Sequence, residues 1–181
     1  MTDLPNLLTI SRIAVIPLLI VLLYFDGAFW RWVALILYTI ACITDFLDGY
    51  LARSRQQVSD LGRFLDPIAD KLLVAAVILV LVAERRLSGW TVLPALIILC
   101  REILVSGLRE YLAGLNVGVP VSQLAKWKTV LQMLALGFLI LGDEGLPSWP
   151  VTLIGEAGLW AAAALTLVTG YDYLKAGLRH M

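Results

Sequence analysis

Six long apolar runs, separated by short polar or turn-forming stretches, set the rhythm of this chain at about 5–25, 30–52, 63–83, 90–113, 121–142 and 150–176. Each matches the roughly 20 residues that a helix needs to cross a hydrocarbon core of about 30 Å, so the pattern predicts six membrane-spanning helices. The stretches between them, "FDGAF", "ERRLSG", "NVGVP" and "GDEGLPSWP", supply the glycines, prolines and acidic residues that end helices and turn the chain. The expected fold is therefore all-α: a polytopic membrane protein of six transmembrane helices forming a single domain over 1–181. No internal repeat or low-complexity tract divides it.

Composition agrees: 60% of residues are hydrophobic and 15% charged, against about a quarter charged in an ordinary soluble domain. The net charge of zero names no partner, and no nucleic acid is expected; the placement of the cations is what informs. If the six helices alternate in direction, Arg12, Arg53, Arg55, Arg63, Lys71, Arg109, Lys126, Lys128, Lys175 and Arg179 lie toward one side. Arg31, Arg85 and Arg86 lie toward the other, and Arg101 falls inside the fourth helix. Ten against three predicts both termini in the cytoplasm. Trp30, Trp32, Trp90 and Trp149 then mark the outer interface, and Trp127, Tyr111, Tyr171 and Tyr173 the inner one. The first helix lacks a small-residue cleavage pattern and an Arg- and Ser-rich presequence, which predicts a retained helix in a bacterial cytoplasmic membrane. Cys42 and Cys100 read as small buried hydrophobes. The last helix, "GEAGLWAAAALTLVTG", offers a small-residue face for close packing, within the bundle or across a dimer.

Against this apolar background the segment "DFLDGYLARSRQQVSDLGRFLDPIADK" carries unexpected negative charge. Asp45 and Asp48 are three apart on the second helix, and Asp66 and Asp70 four apart on the third, so each pair projects from one helix face. A short connection lets the four converge near the cytoplasmic end, with Asp45 about 10 Å from a helix end near Ala52. Ionised carboxylates at that depth cost at least a few kcal/mol each and repel one another unless a cation sits between them. Hard oxygen donors without His or Cys suit Mg²⁺ or Mn²⁺ rather than Zn²⁺. Gly49, Ala52 and Gly62 leave room for a ligand near the backbone, and Arg53, Arg55 and Arg63 add positive charge at the mouth. Salt bridges to neighbouring Arg and Lys explain one such aspartate well. Four at these spacings favour an ion site that serves phosphoryl or phosphatidyl transfer, where a remaining carboxylate can take a proton from an attacking hydroxyl.

The spacing Asp45-x2-Asp48-Gly49-x2-Ala52-Arg53-x8-Gly62-x3-Asp66-x3-Asp70 resembles the signature of the CDP-alcohol phosphatidyltransferases at every defining position. The flanks "LPNLLTISRI", "REILVSGLREYLA" and "AKWKTVLQM" resemble the branch of that family whose acceptor is sn-glycerol 3-phosphate and whose donor is CDP-diacylglycerol. The resemblance implies that Asp45, Asp48, Asp66 and Asp70 hold a pair of Mg²⁺ or Mn²⁺ ions, with Asp70 also acting as the base. It implies that Asp45, Gly49, Ala52, Arg53 and Gly62 shape the CDP pocket, and that Arg101, Arg109 and Lys126 grip the acceptor phosphate. The active site would face the cytoplasm and the chain would form a homodimer among membrane lipid.

Arg101 supports part of this on physical grounds. It lies about 12 residues from the end of the fourth helix, roughly 18 Å deep, which an anion-binding cavity explains; pairing with an acidic-cluster carboxylate is the alternative. Lys128 reads as a snorkelling interfacial lysine rather than a second phosphate contact. Glu102 and Glu110 read as partners of the arginines. Asn6, Thr9 and Arg12 suit either a nucleotide or lipid phosphate or helix capping. His180 reads as a tail residue, and Asp143 and Glu144 as a solvated loop on the opposite side. Two other functions fit less: the same donor with inositol phosphate, serine or phosphatidylglycerol as acceptor, and a divalent-cation transporter. The transporter leaves Gly49, Ala52, Arg53 and Gly62 without purpose and gives Arg101 and Arg109 no anion.

Overall fold

The computed structural model describes residues 4–55, 60–114 and 123–178, with side chains over 10–44, 68–69, 71–114 and 123–175. Six helices account for these residues: α1 (Leu4–Leu23), α2 (Ala28–Arg55), α3 (Asp60–Ala83), α4 (Val92–Gly114), α5 (Gln123–Gly145) and α6 (Val151–Leu178), with one 3₁₀ turn at Gly89–Thr91 before α4. Every expected helix is present, and no boundary differs by more than three residues. Differences of three residues fall at the end of α5 and at the facing ends of α2 and α3, where loss of apolarity ends the apolar run but not the hydrogen-bonded helix. At the end of α5 the expected stop at 142 coincides with a break: Gly142 has φ 59° and ψ 177°, and the last residues continue beyond it. Only glycine suits this position. Its backbone is left-handed, and a Cβ there would stand 2.8 Å from Nη1 of Arg31.

By length and mean hydropathy, Gly89–Gly114, Gln123–Gly145 and Val151–Lys175 can each cross a membrane. In the first three helices the apolar stretches within the described side chains are Ile10–Leu23, Ala28–Thr44 and Lys71–Ala83.

The helices close into a ring. α1 packs on α2 and α3, α2 on α5, α5 on α6, α6 on α4, and α4 more loosely on α3. Each presents an inward stripe at steps of three and four residues, the repeat that keeps one helical face turned to its neighbours. Ile16, Leu19 and Leu23 on α1, Ala34, Tyr38 and Ala41 on α2, and Leu73 and Val77 on α3 are buried in this way. So are Ala95 and Ile98 on α4, Ala135, Leu136 and Leu139 on α5, and Leu159 and Ala162 on α6. The tightest seam joins α5 to α6, because α6 meets it with glycines: a Cβ on Gly155 would stand 2.8 Å from Cγ of Leu139, and one on Gly158 3.1 Å from Cβ of Ala135. The glycines of α6 are thus used inside the bundle, which decides one of the two uses the sequence left open.

One end of the ring is fastened by polar contacts. Arg31, buried on α2, meets Glu144 beyond the α5 break at 2.7 Å, and Trp32 donates its indole N–H to the Gly145 carbonyl at 2.9 Å. Arg86, between α3 and α4, donates to the Leu23 carbonyl at the C-terminus of α1, 2.8 Å away. Asp143 accepts the Thr152 N–H at 2.9 Å in the first turn of α6. The expected solvated pair Asp143 and Glu144 is therefore part of a clasp, because these carboxylates meet a buried cation and a free helix N–H. Burial, and then the nearby Arg31, push the Arg86 guanidinium below its usual pKa, although it stays a cation. Trp30, Trp32, Trp90 and Trp149 are exposed around this end. Cys42 is half-buried against the core, but Cys100 is exposed on the outer face of α4, contrary to the buried expectation, since it lies off the inward stripe.

Candidate active site

Toward the other end of the ring, the inward stripes of α1, α4, α5 and α6 turn polar. On α1 the stripe continues from Ile16 to Arg12, only 2% exposed. On α4 it passes from Ile98 to Arg101; on α5 it reaches Gln132 and Lys128, each 3% exposed; on α6 it runs through Thr166, Thr169 and Tyr173, all buried. On α2, steps of four and three beyond Ala41 give positions 45 and 48. On α3, steps of three and four back from Leu73 give 70 and 66. Asp45, Asp48, Asp66 and Asp70 thus occupy inward register on two helices that both pack on α1. Their side chains lie outside the described residues, as do those of Asn6, Thr9, Ala52, Arg53, Arg55 and Arg63. The surroundings of Gly49 and Gly62, and the whole of His180, lie outside them too.

The described part of this interior is a cation cluster on α4, α5 and α6. Arg101, 11% exposed in its side chain, donates Nη2 to Oγ1 of Thr169 at 2.9 Å and Nη1 to Oε1 of Glu102 at 3.1 Å. Its guanidinium carbon stands 5.7 Å from the centroid of the Tyr173 ring, within cation–π range. Gly170 lets it pack against α6, since a Cβ there would lie 3.0 Å from Cγ of Arg101. Lys128 reaches the same Oε1 of Glu102 from α5. Two cations on different helices, Lys128 buried and Arg101 largely so, thereby share one carboxylate oxygen. Buried polar atoms nearly always have partners, yet Nε of Arg101, Oε1 of Gln132 and Oγ1 of Thr166 have none among the described residues. The first and last can donate to an oxygen of a bound molecule, and the Gln132 oxygen can accept from a hydroxyl.

A cavity of about 460 Å³ opens beside the cluster between α3, α4 and α5. Glu102, Lys128 and Gln132 form its polar wall, Lys71, Ser106 and Glu110 lie along it, and the rest of its lining is mainly apolar. Its size falls within the roughly 300–1,000 Å³ of small-molecule sites.

The structure thus brings Arg101 into a built site but leaves Arg109 and Lys126 exposed. Lys128 is a correction: it does not snorkel to the interface but is buried with its ammonium on Glu102. Tyr173 is a second, buried against Arg101 rather than standing in an interfacial belt, whereas Trp127, Tyr111 and Tyr171 are exposed as expected. Gln132, Thr166 and Thr169 were missed. The one sequence signal for them is the polar pair Lys128 and Gln132, one turn apart in an otherwise apolar helix.

At one end of a ring of apolar helices, Arg101 on α4 and Lys128 on α5 thus meet beside a cavity of small-molecule size. The chain belongs to the CDP-alcohol phosphatidyltransferase family, whose model matches residues 2–168. A relative from Rickettsia typhi, named CDP-diacylglycerol–glycerol-3-phosphate 3-phosphatidyltransferase, is 51% identical over 176 residues, 97% of each chain. Proteins of the same name from Rickettsia bellii and Cereibacter sphaeroides are 52% and 37% identical; the matches cover 96% and 99% of this chain and 94% and 97% of theirs.

Proposed function

We propose that this chain transfers the phosphatidyl group of CDP-diacylglycerol to the primary hydroxyl of sn-glycerol 3-phosphate, giving phosphatidylglycerophosphate and CMP. The observation that carries the reading is the polar turn of the inward stripes of α1, α4, α5 and α6 at one end of the ring, with Lys128 buried there and Arg101 beside it as a ready anion site. A soluble dianionic acceptor needs such a site, whereas an uncharged acceptor leaves both cations unused. In this reading Arg101, Lys128 and Gln132 hold the acceptor phosphate, and Arg109 and Lys126 form an outer positive rim that draws it in.

Asp45, Asp48, Asp66 and Asp70 fit a pair of Mg²⁺ or Mn²⁺ ions: they are hard oxygen donors, in inward register on two helices flanking Arg12. When bound, such ions supply positive charge for the diphosphate and for the departing CMP. Asp45, Gly49, Ala52, Arg53 and Gly62 make the CDP pocket. Asp70 takes the hydroxyl proton as the new P–O bond forms at the β-phosphorus and the bond to the CMP oxygen breaks. With the acceptor phosphate fixed by α4 and α5 and the donor by α2 and α3, most of the acceleration comes from positioning and fixed charge. The polar end of the ring faces the cytoplasm of a bacterial inner membrane, the donor's tails stay in the bilayer, and the active form is a homodimer.

The test is to incubate the purified protein with CDP-diacylglycerol and, in turn, glycerol 3-phosphate, serine, inositol phosphate and phosphatidylglycerol, while following CMP. Release with glycerol 3-phosphate, abolished by EDTA and restored by Mg²⁺ or Mn²⁺, is expected. Release only with another acceptor overturns the assignment.

A further inference from the structure

We propose that Glu102 is a place-holder for the acceptor's phosphate: its carboxylate occupies the anion position between Arg101 and Lys128 in the resting protein and gives it up when acceptor binds. The proposal rests on the assignment of those two cations to the acceptor phosphate.

A single oxygen, Oε1, takes both Nη1 of Arg101 at 3.1 Å and the ammonium of Lys128. One anionic oxygen bridging two cations from separate helices is also the arrangement in which a phosphate oxygen would bind. A carboxylate shared by the two cations offsets part of the cost of holding them in the bundle.

The anchoring is unequal. Arg101 keeps Thr169, the Tyr173 ring and its packing on Gly170 whether or not Glu102 is present. Lys128 is 3% exposed. Glu102, by contrast, has its side chain 19% exposed and lines the cavity. Among the described residues only its Oε1 is bonded, and only to the two cations. The carboxylate can therefore swing into the cavity while the cations stay. A phosphate dianion brings more charge to the same pair and displaces it, whereas a neutral alcohol cannot.

An internal competitor lowers apparent affinity by the fraction of time it holds the site. A carboxylate in place nine-tenths of the time raises the apparent dissociation constant by about tenfold. Glu102→Gln keeps the shape and removes the competing charge. The measurements are KM and kcat for glycerol 3-phosphate, together with the melting temperature of the detergent-solubilised protein with and without glycerol 3-phosphate or inorganic phosphate.

The expected result is a KM about tenfold lower in E102Q, a lower melting temperature without ligand, and a larger upward shift with either ligand than in the parent. Glu102→Asp, which draws the carboxylate back by one carbon, should shift both readouts the same way by less, and it serves if E102Q does not fold. A lower melting temperature with KM unchanged or raised overturns the proposal and leaves Glu102 a structural partner. Lys128→Met separates the two layers. If it leaves KM unchanged, the acceptor assignment fails and the proposal with it. If it raises KM while E102Q does not lower it, the place-holder alone fails.

Discussion

Gly170 offers a probe of Arg101 that leaves every charge in place. In Gly170→Ala the new Cβ stands 3.0 Å from Cγ of Arg101 and 3.4 Å from its Nε. Comfortable carbon contacts begin at about 3.5 Å, so the arginine must retreat by roughly half an ångström. That retreat stretches its 2.9 Å bond to Thr169 and lifts it from the Tyr173 ring. Losing about half of a charge-assisted hydrogen bond corresponds to about 0.75–1.5 kcal/mol, or roughly three- to twelvefold in KM for the acceptor. Folding should change less. Alanine stabilises a helix interior by about 0.8–1 kcal/mol over glycine, which offsets part of an overpacking cost of about 1–3 kcal/mol. Initial-rate measurements against each substrate, with melting curves on the same preparation, give the comparison. The expected pattern is a raised KM for glycerol 3-phosphate, an unchanged KM for CDP-diacylglycerol and a melting temperature within a few degrees of the parent. An unchanged acceptor KM would refute the view that Arg101 grips the acceptor phosphate.

Other perturbations test the remaining parts. Asp70→Asn should lower kcat by about 10²–10⁴, the usual contribution of a positioned base, without loss of the folded state; near-parental turnover would remove Asp70 from that role. At Tyr173, phenylalanine keeps the ring under Arg101 and should leave the acceptor KM near its starting value. Alanine removes about 0.5–2 kcal/mol of cation–π attraction and should raise KM up to about thirtyfold; equal effects of the two would argue against the ring. Glu144→Gln leaves the buried Arg31 without its carboxylate; because Glu144 is itself 57% exposed, the expected cost is about 1–3 kcal/mol of stability. Its kcat and both KM values should not move, and a changed kcat would tie that end of the ring to the chemistry.

The helix plan was legible because apolar runs and turn residues fix where a membrane helix can begin and end. Even the break at Gly142 fell where apolarity and punctuation placed a terminus. Spacing within one helix also fixes the relative direction of Asp45 and Asp48, and of Asp66 and Asp70, although their side chains lie outside the described residues. What the sequence could not give was the rotation of α5 and α6. A helix apolar on both its lipid side and its protein side carries no contrast to say which face turns inward. Lys126 and Lys128 are therefore equivalent on paper, although one is exposed and the other buried. Tyr173 read as a belt residue for the same reason. Contacts such as Arg31 to Glu144, 113 residues apart, depend on the closure of the ring and have no local signal.

The clasp of Arg31, Glu144, Trp32, Gly145, Arg86 and Leu23 lies across the ring from the residues assigned to substrate. This division gives the molecule a bolted floor and an adaptable rim, so robustness and turnover can be adjusted separately. Tightening the floor should lengthen the protein's lifetime in detergent at no cost in rate, which makes that face the place to begin when engineering a sturdier enzyme.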